Sequence, residues 1–316
     1  MGDDSFYEEL NADFSGSLGS LKTNNPEGDR FQRPFIHLSP EKSKFRKTVE
    51  PVLCVHGWKE GGSGKPMTLL IIGVHLTCHD KDFRFQTVKI RLAFHEDDKA
   101  DPPNAEKAEP RVVAYAPWVQ QKIWGETDEN IEETTEYSGA AGVDKVVQLD
   151  LDAKKGRKRT FTRKHFDRGT ADRLIDQKTF RIYGVEWFCQ QNSLQTYGVQ
   201  PYFHLAVLLE RSHTKTGDGI TFRAVYDMRV EAGFKHDVQQ GLRRVFRLFR
   251  PEDAPVYFDP SIDHEGSGLE GYGTDILKKI DKDNLGILAE KGKLSSLLEL
   301  DTKTLQGLDP MQPPVL

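Results

Sequence analysis

A chain of 316 residues with a net charge of -5, 37% hydrophobic and 29% charged residues, is long enough for a substantial core yet polar for its size. The acidic balance excludes a global attraction to nucleic acid or anionic membrane, and three cysteines (Cys54, Cys78, Cys189) exclude a disulfide framework. No apolar run reaches the roughly 18 residues of a membrane-crossing helix; the longest is Leu69 to Val74.

Met1-Gly-Asp-Asp-Ser-Phe6 has neither the basic start nor the apolar centre of a secretory leader, and Phe6 breaks the myristoylation pattern. The expectation is a soluble intracellular protein of the cytoplasm, with the nucleus as the alternative and no membrane contact. Residues 1–50 are rich in Asp, Gly, Ser and Asn with isolated aromatics and hold no period, so they read as an irregular or disordered arm.

Val52–His56 and Thr68–Cys78 are rich in Val, Leu and Ile and flank the glycine-rich stretch Gly57–Pro66, which predicts two strands joined by a flexible loop. Between Phe83 and His95 the alternation changes phase: Phe83 and Phe85 are odd, Val88, Ile90, Leu92 and Phe94 even. One extra residue near Gln86-Thr87, a β-bulge, keeps both sets on the core face. Glu96–Pro110 is an acidic loop, Arg111–Trp118 a strand ended by Pro117, and Trp124–Tyr137 an acidic stretch without a clear period.

Val147, Leu149 and Leu151 suggest a further strand, followed by a basic turn, Lys154-Lys-Gly-Arg-Lys-Arg159. Phe180–Cys189 and Tyr202–Leu209 follow, the latter apolar on both faces and so central. The longest unbroken alternation is Ile220–Ala232, and the polar segment Arg211–Gly219 predicts a hairpin between these last two strands. Val238, Leu242, Val245, Phe246 and Phe249 then fall on one stripe of a helix, beside Arg243, Arg244, Arg247 and Arg250. Pro251–Pro260 is extended, and Ile276, Leu277, Ile280, Leu285 and Leu288 suggest short helices capped at Thr274 or Asp275.

The predicted architecture is mainly β: an antiparallel β-sandwich over 51–260, an irregular N-terminal arm over 1–50, and a C-terminal helical extension with its linker over 261–316. Phe83–Phe94 with its acidic loop, Val112–Pro117 and Ala254–Pro260 together resemble a family of β-rich proteins of filamentous fungi, over roughly Cys54 to Pro260. The resemblance implies no activity, so no catalytic residue is carried over from it.

Chemistry-bearing motifs are incomplete. Val55-His56-Gly57 is similar to the oxyanion loop of α/β-hydrolases, but no Gly-x-Ser-x-Gly elbow exists. Gly64-Lys65 could open a phosphate loop, but Lys59 replaces its first glycine and Pro66 its hydroxyl. No catalytic or cofactor-binding residue is assigned, and no cofactor is expected. The weighed alternatives are zinc at Cys54, His56, His75, Cys78 and His79, and calcium at Glu96, Asp97, Asp98 and Asp101.

A basic patch is formed by Lys154, Lys155, Arg157, Lys158, Arg159, Arg163 and Lys164, read first as a solvated turn. The expected function is a non-enzymatic interaction module whose partner is another protein. One alternative is a ligand-binding protein or enzyme with a site built from loops 57–66 and 96–110. The other is nucleic-acid contact or nuclear import through the basic turn.

Overall fold

Period-two alternation over so much of the chain closes into two antiparallel sheets that share one core. The computed structural model describes residues 23–26, 31–39, 43, 45–61, 63–78, 83–97, 109–135, 157–194, 198–211, 220–234, 246–248, 253–262, 264–265 and 280–298. In chain order the strands are β1 (His37–Leu38), β2 (Phe45–Glu60), β3 (Ser63–Cys78), β4 (Phe83–Glu96), β5 (Arg111–Ala116), β6 (Lys122–Thr135), β7 (Arg157–Ile175), β8 (Ile182–Gln190), β9 (Tyr202–Glu210), β10 (Phe222–Phe234), β11 (Phe246–Leu248), β12 (Val256–Phe258) and β13 (His264–Glu265). The first sheet runs β1-β2-β3-β9-β5, with β13 also on β2; the second runs β11-β10-β4-β8-β7-β6, with β12 also on β10.

Between the sheets, Cys54, Leu70, Ile72, Leu205 and Val207 of the first meet Ile90, Leu92, Phe94, Trp187, Tyr226 and Met228 of the second. The far face of the first sheet is apolar as well, through Leu53, Val55, Leu69, Ile71, Ala206 and Leu208. It is covered by Leu285 of the 3₁₀ helix Lys282–Ala289 and by Leu294, Leu297 and Leu298 of the helical turn 293–298. Each such buried side chain is worth about 1.5–3 kcal/mol, so this cover is a structural part of the sandwich. No helix among the described residues is long and apolar enough to cross a membrane.

Several readings hold. β2 and β3 form the first hairpin, β9 is buried on both faces, and β5 ends before Pro117. The bulge is at Gln86: Thr87 pairs with Glu231 and Phe85 with Ala232, so Gln86 has no opposite residue and both Phe85 and Val88 stay in the core.

Others are corrected. β9 and β10 are not a hairpin: β9 pairs with β3 and β5, β10 with β4, in opposite sheets. Two apolar faces on β9 demanded partners on both sides, which a two-stranded ribbon with β10 could not supply. The stretch 57–66 is mostly strand, with Gly57–Glu60 and Ser63–Pro66 inside β2 and β3. The acidic stretch from Trp124 is β6, paired along β7.

Of the expected helix over Val238–Arg250, Phe246–Leu248 is instead β11, because an unpaired β10 edge offers it three register partners; the rest lies outside the described residues. The sandwich also starts earlier than residue 51. Ile36 and His37 are buried, β2 begins at Phe45, and Phe31 bridges to Tyr257. The 3₁₀ helix is capped by Asp281, whose Oδ1 accepts from Asp283 N at 3.0 Å, while the expected caps Thr274 and Asp275, with Ile276 and Leu277, lie outside the described residues. The strand expected over 147–151 lies outside the described residues.

Candidate functional site

The β7–β8 turn is built by one carboxylate. Asp176 Oδ1 accepts from Lys178 N and Thr179 N at 2.8 Å each and from Thr179 Oγ1 at 3.1 Å, while Phe180 N donates to Asp176 O at 2.8 Å. Donation from these groups, the backbone amides first, holds the Asp176 carboxyl below the usual carboxylate range. The closure forces Phe180 to φ 55° and leaves it 80% exposed, and Ile175 at the end of β7 is 50% exposed. A non-glycine residue in the left-handed region is strained, and here the surrounding bonds fix it.

Beside this turn a groove of about 780 Å³ crosses β4, β8 and β10, lined by Arg91, His95, Arg181, Tyr183, Asp227 and Arg229 among others. Arg91 Nη2 donates to Tyr183 Oη at 2.9 Å and Arg229 Nε to Asp227 Oδ2 at 3.2 Å. Arg181 is pinned at the wall: it donates to Pro110 O at 2.6 Å and Phe94 O at 3.3 Å and pairs with Glu109. Burial lowers its guanidinium from the usual range, against the opposing pull of Glu96 and Tyr183. The arrangement can grip a carboxylate or phosphate through arginine and an apolar group through Phe180 and Ile175.

A second cavity of about 370 Å³ lies against Trp124, Asp167, Cys189 and Pro201. Burial, and then the Asp167 carboxylate, push the Cys189 thiol up to about 12, so this sulfur is inert as a nucleophile.

The metal candidates divide between the two ends of the first hairpin. Cys54 and His56 lie opposite Leu70 and Thr68, whereas His75 and Cys78 lie opposite Thr48 and Phe45. Six residues of strand, about 20 Å, separate the two pairs. His79 lies outside the described residues, among which no group of three or more His, Cys, Asp or Glu is placed to hold a metal. Of the calcium candidates, Asp97 is buried and accepts from Thr221 Oγ1 at 3.1 Å, and Glu96 ends β4; Asp98 and Asp101 lie outside the described residues.

The basic run is not a turn where it is described. Arg157, Lys158, Arg159, Arg163 and Lys164 lie inside β7, with Arg159 opposite Glu133, Arg163 opposite Glu129 and Lys164 opposite Asp128 of β6. Lys154 and Lys155 lie outside the described residues. Of the arginines at 243, 244, 247 and 250, Arg247 is in β11 and the others are also outside.

Glu50, His75, Tyr202 and His204 gather where β2, β3 and β9 run side by side. The His75 ring is 4.2 Å from that of Tyr202, whose hydroxyl is hydrogen-bonded to His204 Nε2. Glu50 Oε1 is 3.2 Å from His75 Nε2 without hydrogen-bond alignment, so burial prevails and lowers the imidazole's proton affinity despite the carboxylate. The folded state then binds this proton less readily than the unfolded chain. Stability is therefore full above about pH 6.5 and falls as pH drops through that value. Tm is expected to decline on going from about pH 7.5 to about 5.5, and His75→Gln to flatten that decline. An unchanged slope in the variant removes His75 from the account.

Sequence reading missed the groove because its arginines come from two strands and a turn. The Asp176-x-x-Thr179 spacing was the one local signal, and it announces a turn rather than a site. No family model matches the chain, and no curated protein matches it. Among solved structures the chain is similar to the Clostridium perfringens NetB toxin in its membrane-inserted form, at 7% identity and a TM-score of 0.23, over 70% of this chain and 86% of that one. A likeness at that level carries no argument about what this chain does.

Proposed function

We propose that the chain is a non-catalytic β-sandwich module that engages another protein, through a segment that brings carboxylates to the groove and an apolar side chain to Phe180. The observation that carries this reading is the β7–β8 turn, where a strained backbone fixed by four hydrogen bonds leaves an aromatic residue exposed at the turn that borders a groove lined by Arg91, Arg181 and Arg229 together with Glu109, Asp176 and Asp227. Rigid aromatic and arginine anchors are the residues that dominate protein interfaces. The groove is open, and its two groups with shifted proton affinity, Asp176 and Arg181, are shifted by structural bonds and burial, which favours recognition over proton transfer.

Screening against arrayed acidic and basic peptides, glycans and nucleotides tests the reading. Saturable binding of acidic peptides is expected, weakened at least about tenfold by Phe180→Ser and by Arg91→Ala. Both side chains are outside the core, so Tm should not change. Binding of a glycan or nucleotide that survives both substitutions, or an absence of acidic-peptide binding, overturns it. For the nucleic-acid alternative, steeply salt-dependent binding would be the signature.

A further inference from the structure

Inward-facing positions of the first sheet are 54 and 56 on β2, 68, 70 and 72 on β3, and 205, 207, 209 and 211 along β9 and just past it. Most hold Leu, Ile or Val. At the end nearest the β2–β3 turn, however, His56, Thr68 and Arg211 take places that an apolar side chain would fill, next to Cys54. Polar residues at core positions need a compensating reason.

The cluster is tightly wired except at two points. His56 Nδ1 is 2.8 Å from Thr68 Oγ1, and Nε2 is 3.5 Å from Cys54 Sγ. The Gln32 amide donates to Asp259 O at 3.1 Å and Ile262 O at 2.6 Å and reaches His56 Nε2 at 3.3 Å. Both amide hydrogens of Gln32 go to those two carbonyl oxygens, so its contact with His56 does not occupy the ring nitrogen; with Nδ1–H donating to Thr68 Oγ1, the Nε2 lone pair is left for the Cys54 thiol. Arg211 N donates to Pro66 O at 2.8 Å and Nη2 to Met67 O at 3.2 Å. Its Nε and Nη1 are buried with no acceptor, in a side chain of a residue only 6% exposed. Burial pulls this guanidinium down to about 10, and the Cys54 sulfur acts in the opposite direction.

We propose that Cys54 is a peroxide-modifiable thiol, reached past Gln32. The closing residue is itself strained: Gln32 sits at φ 46° with its N–H on Tyr257 O and its own Oε1 unpaired, so the latch holds through one amide nitrogen. The thiol proton passes to His56 Nε2, and the thiolate attacks one oxygen of a hydroperoxide. The S–O bond forms as the O–O bond breaks, sulfur loses two electrons to the peroxide, and the imidazolium returns its proton to the departing alkoxide or hydroxide. The products are a sulfenic acid and an alcohol or water. The new oxygen supplies the acceptor that Arg211 Nε and Nη1 lack. This centre faces the core of the first sheet and does not depend on the groove of the second.

Cys189 is the matched control, since it is as thoroughly buried but has a carboxylate neighbour and a thiol pushed up to about 12. Hydrogen peroxide treatment of the native protein with dimedone present, followed by peptide mass analysis, reads both sulfurs at once. Cys54 should be labelled at least about tenfold faster than Cys189. Gln32→Ala should accelerate Cys54 further without changing Cys189, and Arg211→Gln should slow Cys54. Should the Arg211 variant fail to fold, the Gln32 comparison decides. Equal rates at the two cysteines, no acceleration in Gln32→Ala, or labelling of Cys54 only under unfolding concentrations of urea overturns the proposal.

Discussion

Asp253→Ala is expected to lower the unfolding free energy by about 3–5 kcal/mol, the cost of leaving a buried cation without its counter-charge. Asp253 is buried and tied twice: Oδ1 accepts from Thr23 N at 2.8 Å and Oδ2 from His37 Nδ1 at 2.6 Å. Arg33, buried beside it, donates to Thr23 O, Asn25 Oδ1, Ile36 O and Ala254 O. Burial lowers the Arg33 guanidinium's proton affinity and the Asp253 charge sustains it. These bonds fasten residues 23–26 and 31–39 to the segment that leads into β12, and through it to β10. Urea unfolding gives the loss, and limited proteolysis should show cleavage within 23–39 in the variant before the sandwich opens. Asp253→Asn keeps an acceptor for Thr23 N but not the charge, so a smaller loss is expected. A cost below about 1 kcal/mol with residues 23–39 still protected would falsify this account.

What the sequence made legible follows from range. Alternation depends on neighbours two apart, so the strands, the bulge at Gln86 and the doubly buried β9 could be read directly. Pairing depends on residues far apart, and a polar connection between two alternating runs reads as a hairpin whether or not the chain crosses between sheets, as it does from β9 to β10. The arm was misjudged because Arg33, His37 and Asp253 are joined across more than two hundred residues and replace a hydrophobic signal with an ionic one.

The site divides in the same way. Cys54 and His56 were visible as a pair and do converge, but the partners expected for them, His75 and Cys78, lie at the other end of the hairpin. The partners they have are Thr68, Gln32 and Arg211. Arg211 was readable in principle: it falls on the inward phase of Phe203, Leu205, Val207 and Leu209, one step past the end of β9. A charged residue that continues an apolar phase is a buried charge seeking a partner.

Gly57→Ala should have the second large effect, because it acts on the cover of the first sheet. A Cβ at residue 57 would lie 2.1 Å from the backbone oxygen of Lys282 and 3.0 Å from Leu285 Cδ1. A carbonyl at the start of the 3₁₀ helix cannot yield as a flexible side chain would, so either β2 or the helix must move. Overpacking of this kind costs about 1–3 kcal/mol. The helix is the more loosely held of the two, since β2 is paired with β3 along its length while the helix buries Leu285 alone, the rest of the cover coming from Leu294, Leu297 and Leu298 of the turn that follows. The expected result is a protein with an intact sandwich and a displaced cover. Near-native far-ultraviolet dichroism, faster tryptic cleavage at Lys282 or Lys293, and new dye binding at the bared face of Leu53, Val55, Leu69 and Ile71 would report it. Leu285→Ala reaches the same face by the opposite route, removing a fully buried side chain for about 2–5 kcal/mol, and should give the same cleavage pattern. If Gly57→Ala were as protected as the parent while Leu285→Ala was cleaved, the close approach at residue 57 would not be what limits the packing of the helix.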